Sequence, residues 1–162
     1  MKYLLGIDFG GGASKATLLC ENGDIVATNT TEYPTNYPKP GYAEQNPSDW
    51  VKATCENIKG VLDKSQVNPE DICALSLDAA THTAVLLDEK MQIIRPAILW
   101  TDQRSKAEVD WLKENCLQTI MDETLNVPTT VWTLPQLMWI RRNEPQNWDK
   151  IHKVLYFVRG CQ

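Results

Sequence analysis

The stretch LLGIDFGGGASKATLL, residues 4–19, sets three consecutive glycines between two apolar runs, directly after Asp8-Phe9. Leu4, Leu5, Ile7 and Phe9 are bulky strand formers, and residues 16–19 resume the apolar pattern, so the segment predicts two strands around a turn. A hairpin accounts for two glycines. The third, with Asp8 at the strand end, fits a loop that approaches a ligand. Glycine lets backbone N–H groups come close to phosphate oxygens, and a carboxylate there offers an oxygen to a hard cation. On this stretch alone a loose hairpin accounts for the glycines equally well.

Outward from this loop, the pattern predicts strands over 3–9, 13–20 and 24–32, with Asn22-Gly23 as a hairpin turn between the last two. Residues 33–47, YPTNYPKPGYAEQNP, contain four prolines and read as an irregular loop. Asn46 then caps a helix that has Pro47 at its first position and Asp49 in its first turn. Helical spacing places Val51, Cys55, Ile58 and Leu62 on one apolar face, with Trp50, Thr54 and Val61 beside it. Further strands are predicted over 72–78, 83–88 and 92–99, and helices over 105–116, 118–125 and 134–144, the last stopped by Pro145. A β-meander followed by a helix and a further strand is the opening of a ribonuclease-H-like α/β layout, the core also used by actin-like ATPases. In that layout the first hairpin turns beneath a phosphate group.

Composition bounds the function. A chain of 162 residues with 43% hydrophobic content can bury one core, so a single domain is expected. A net charge of −5 argues against a nucleic-acid partner. Five scattered cysteines without a CxxC pair read as reduced thiols, mostly filling the core. No signal-peptide pattern and no apolar run of membrane-spanning length is present, so a cytoplasmic protein without a membrane partner is expected.

Four ordered segments carry a family resemblance. GIDFGGGASKA (6–16) resembles the opening of the FGGY carbohydrate kinases, with Asp8, Gly10, Ser14 and Lys15 in frame. GYAEQNPSDW (41–50) resembles the segment before that family's first long helix, and LLDEKMQIIRPAILWTDQRS (86–105) its Arg-Pro-Ala-Ile-x-Trp-x-Asp-x-Arg stretch. TLPQLMWIRRNEP (133–145) resembles the first family signature, with Trp139 and Asn143 in place. Within the family the xylulose branch is the most similar. The sequence departs at Gly11 and Gly12, where hydroxyl residues are usual, at Gln136 in place of a lysine, and at Ala80-Thr81, although His82 is retained. DAATHT (78–83) leans toward ribulose kinases.

The resemblance implies an actin-like N-terminal lobe and ATP-dependent phosphorylation of a ketopentose, a small-molecule sugar, with Mg2+ as cofactor. It places Asp8 at the metal and phosphates, and Gly10, Gly11, Gly12, Ser14 and Lys15 against the nucleotide phosphates. Thr81, His82, Trp100 and Asp102 would shape the sugar pocket. It also implies that residues 1–162 are the front part of the sugar-binding domain. The family's general base and ATP lobe would lie beyond it, leaving this chain inactive alone and prone to dimerise or self-associate through VLYFV (154–158).

Simpler readings stand beside these. His82 fits an ordinary half-buried histidine, and Asp102 and Arg104 could pair in solvent. The polar residues after Trp100 suggest a rim position for the indole, whereas Trp111, Trp132, Trp139 and Trp148 read as packing. Other assignments are a ribulose or other polyol kinase, a non-catalytic sugar-binding module, and a metal-dependent nuclease. The nuclease would use Asp8, Glu56 and Asp78, but the acidic balance and the missing basic patch oppose it.

Overall fold

A computed structural model describes residues 1–156. In chain order these form β1 (Tyr3–Phe9), β2 (Ala13–Cys20), β3 (Ile25–Glu32), β4 (Glu44–Gln45), α1 (Pro47–Ser65), β5 (Ile72–Ala79), β6 (Ala84–Leu87), β7 (Ala97–Ile98), α2 (Lys106–Thr124), α3 (Thr133–Asn143), α4 (Pro145–Trp148) and β8 (Lys153–Tyr156). The described chain divides into two compact units. One holds Met1–Pro34 and Asn46–Ala80; the other holds Thr35–Gln45 and residues 81–156.

The first unit is a mixed sheet in the order β3-β2-β1-β5. Strands β1 and β2 are antiparallel with Asp8 opposite Lys15, whereas β5 runs parallel to β1 with Asp78 beside Asp8. Gly23, at φ 94, makes the β2–β3 turn in a conformation that other residues resist. Period-two alternation buries Leu5, Ile7, Phe9, Ser14, Ala16 and Leu18, and turns Asp8 and Lys15 to the opposite face. Helix α1 packs on β2 and β3 and starts where the sequence predicts: Asn46 Oδ1 accepts the Ser48 N–H at 3.0 Å.

Its buried face differs from the expected one. Pro47, Trp50, Ala53, Asn57 and Val61 are inside, whereas Val51 and Cys55 are exposed and Ile58 and Leu62 only half-buried. The inward face includes a polar residue. Asn57 reaches the buried Ser14 from the same face as Trp50, Ala53 and Val61, with Val51 and Cys55 away from it.

The second unit has a sheet in the order β4-β7-β6-β8, with Leu86, Ile98 and Ile140 at the centre of its core. The strand expected over 92–99 shrinks to β7. Pro96 has no N–H to donate, and the Arg95 side chain is drawn to Glu44 and Glu144. The two helices expected over 105–125 are a single helix, α2, since nothing at Leu117 breaks it. Trp111 is half-exposed, as are Leu155 and Tyr156 on β8, while Phe157 and Val158 lie outside the described residues. Of the cysteines expected in the core, Cys20 is buried but Cys55 and Cys73 are exposed. No described helix is long and apolar enough to cross a membrane.

Candidate functional site

The exposed face of the first sheet holds a shallow cleft of about 240 Å³, lined by Gly6, Asp8, Lys15, Thr17, Ser76 and Asp78. The pairing register alone explains the grouping: Lys15 is the antiparallel neighbour of Asp8, and Asp78 the parallel one. Two neighbouring carboxylates fit magnesium, which takes one or two such ligands and keeps several waters. The nuclease trio does not assemble. Glu56 rides on α1, which packs on the face bearing Ser14, and it pairs there with Lys52 at 3.9 Å. Among the described residues no three Asp, Glu, His or Cys side chains gather as a metal cluster.

Next to Asp8, the glycine turn is closed by the Gly10 N–H donating to the Ala13 carbonyl at 2.9 Å. Tyr33, just past β3, braces it. Its N–H donates to the Gly12 carbonyl at 3.0 Å. Its phenol Oη lies 2.6 Å from the Gly10 oxygen and 3.0 Å from that of Ala13, so one proton is shared between two acceptors. Burial, and then the nearby Asp8 charge, push the Tyr33 phenol up to about 12.

Ser14, read from the sequence as facing the nucleotide phosphates, points the other way. It is wholly buried, and its Oγ accepts the Asn57 amide at 2.6 Å. Asn57 is itself saturated, donating also to the Ser14 carbonyl at 3.0 Å and accepting from Asn29 and Thr31, both at 3.0 Å. Neither Asn57 nor Tyr33 lies in a motif that marks it as a site residue. The one available signal for Asn57 was a polar residue in step with Trp50, Ala53 and Val61.

The remaining candidates belong to the second unit. Thr81 is exposed, and His82 is half-buried in the left-handed region at φ 57, a conformation uncommon outside glycine. Trp100 follows β7 in a turn and is 46% exposed. Asp102 is 1% exposed, which rules out a solvent ion pair. One carboxylate oxygen accepts the Arg104 N–H at 2.8 Å and Nε at 2.9 Å. The other accepts the Ala43 N–H at 2.6 Å and Arg104 Nη2 at 2.8 Å. Both oxygens are therefore committed to holding the turn that carries Trp100. Gln136, buried on α3, donates to the Leu99 carbonyl at 3.3 Å and steadies the same turn from the other side.

Comparison with known proteins is consistent with this geometry. The N-terminal domain of the FGGY family of carbohydrate kinases matches residues 3–158. The chain is 37% identical over 150 residues to the xylulose kinase of Bacillus subtilis, covering 93% of this chain and 30% of the relative. It is 36% identical over 156 residues to that of Staphylococcus xylosus, covering 96% and 32%. A solved xyloylose kinase from Brucella ovis superposes with a TM-score of 0.87 at 33% identity, over 94% of this chain and 31% of that one. The chain thus spans about a third of the length of the curated relatives it matches. The α/β fold is the ribonuclease-H-like, actin-like one expected.

Proposed function

Since the chain belongs to the FGGY family of carbohydrate kinases, we propose that the whole protein transfers a phosphoryl group from ATP to a ketopentose, D-xylulose ahead of ribulose. The observation that carries the phosphoryl half of this reading is the cleft in which Asp8, Lys15 and Asp78 meet beside the glycine turn. The sugar half is supported by the xylulose kinases among its relatives.

Phosphoryl transfer asks the protein for positioning and charge stabilisation rather than covalent chemistry. Asp8, with Asp78 beside it, would hold Mg2+, and bound magnesium offsets charge on the phosphates. Lys15 supplies a cation on the same face, and Gly10, Gly11 and Gly12 face the phosphates. Ser14 is left out because it is buried. Trp100 stacks on the sugar and His82 donates to or accepts from a hydroxyl, with Thr81 at the same turn. Asp102 acts by fixing the Trp100 turn. Self-association through the exposed Leu155 and Tyr156, and a cytoplasmic location, complete the proposal.

The test is a panel of sugars assayed with ATP and magnesium on the protein at the length of its relatives. Turnover is expected on D-xylulose above ribulose. Turnover on glycerol with none on any pentulose would defeat the assignment.

A further inference from the structure

The glycines do not themselves hold the glycine turn. Gly10, Gly11 and Gly12 are not among the glycines with positive φ, and a Cβ added at Gly11 or Gly12 would meet nothing within 4 Å. Three glycines in a row have much conformational freedom to lose. The turn's own bond, Gly10 N–H to the Ala13 carbonyl at 2.9 Å, is joined by a brace from outside it. Three of its carbonyl oxygens, those of Gly10, Gly12 and Ala13, are engaged by a single residue, Tyr33.

We propose that Tyr33 is the positioning residue of the nucleotide loop: by holding these three oxygens it fixes the turn in one conformation and keeps its acceptors occupied when phosphate arrives. The proposal rests on the reading that this turn faces phosphate. Its physical content is pre-organisation. An unbraced glycine turn would be ordered at the expense of binding energy, and loose carbonyl oxygens would stand as negative poles against an anion. The phenol suits the task because it is buried and stays protonated, so its one proton remains available to the two carbonyls it faces.

Two variants of the whole protein separate this role from general stability. Tyr33→Phe removes the hydroxyl and keeps the ring. Thr31→Val removes a hydroxyl that serves Asn57 and does not touch the turn. Mg·ADP affinity is measured by calorimetry beside sugar affinity, and amide exchange is followed over residues 9–13. Tyr33→Phe is expected to weaken Mg·ADP by about fivefold to tenfold, the worth of one hydrogen bond. It should also speed exchange in the turn and leave sugar affinity unchanged, while Thr31→Val changes neither Mg·ADP affinity nor exchange there. Unaltered Mg·ADP affinity in Tyr33→Phe would overturn the proposal, as would equal losses of nucleotide and sugar affinity in both variants. The readout needs no turnover, so failure to phosphorylate a pentulose counts against the kinase assignment and not against Tyr33.

Discussion

The glycine turn of the first unit and the Trp100 turn of the second are both held by residues far away in sequence, but with different chemistry. Around Gly10–Ala13 the brace is neutral, the Tyr33 phenol and N–H; the Asn57 amide that holds the buried Ser14, past the turn, is neutral too. Around Trp100 they are ionic. Arg104 binds Asp102 at 2.8 Å and Glu44 at 2.7 Å, and its guanidinium carbon stands 4.0 Å from the Tyr42 ring centroid and 5.0 Å from that of Trp139. Arg95 joins Glu44 to Glu144, the latter at 3.0 Å. Burial works against the Arg104 charge, but its hydrogen bonds to Asp102 and Glu44 outweigh it, and the group holds its proton more tightly than usual. The neutral brace leaves the charges of Asp8 and Lys15 unspent on the exposed face. The ionic one consumes its charges in holding a turn that leaves Trp100 exposed at its tip.

The contrast predicts unequal costs of breaking each brace. Arg104→Met leaves Asp102 and Glu44 with too little counter-charge in the interior. A loss of about 3–5 kcal/mol is expected, read as a lowered denaturation midpoint. A loss below about 1 kcal/mol would mean that water reaches the carboxylates and that the brace is a surface pair. Asn57→Leu keeps the branched outline of the side chain but removes the partner of Ser14, Asn29 and Thr31. It should lose about 2–3 kcal/mol on the same measurement, less than the ionic brace because only neutral groups are left unpaired.

The smallest effect is invisible at neutral pH. The Tyr33 phenol is raised in the folded state from 10.0 to about 12, so the fold binds this proton more tightly than the unfolded chain does. Its stabilising contribution is therefore complete below pH 10 and falls as pH rises from about 10 to about 12. Ultraviolet titration should show one of the five tyrosines ionising last, and Asp8→Asn should bring that step to lower pH. Unchanged titration in Asp8→Asn would show that burial alone raises the Tyr33 phenol.

Local chemistry made much of this protein readable. Apolar runs and the Asn22-Gly23 turn place β1, β2 and β3, the Asn46-Pro47 cap places the start of α1, and the string RPAILWTDQR marks the turn that bears Trp100. Each of these signals lies within a few residues, where steric and hydrogen-bonding preferences act without help. Alternation along β2 also contained the fate of Ser14, since it shares the buried side with Ala16 and Leu18. Only the tertiary structure decided which face of α1 turns inward, that Tyr33 grips the glycine turn, that Glu56 stands apart from Asp8 and Asp78, and that Arg104 and Asp102 are buried. These depend on partners 20 or more residues apart in the chain, such as Tyr33 with Ala13 or Ala43 with Asp102. A hydrogen bond or a desolvated charge is worth its energy only once folding has brought the second group within about 3 Å, and no pattern along the chain records that distance.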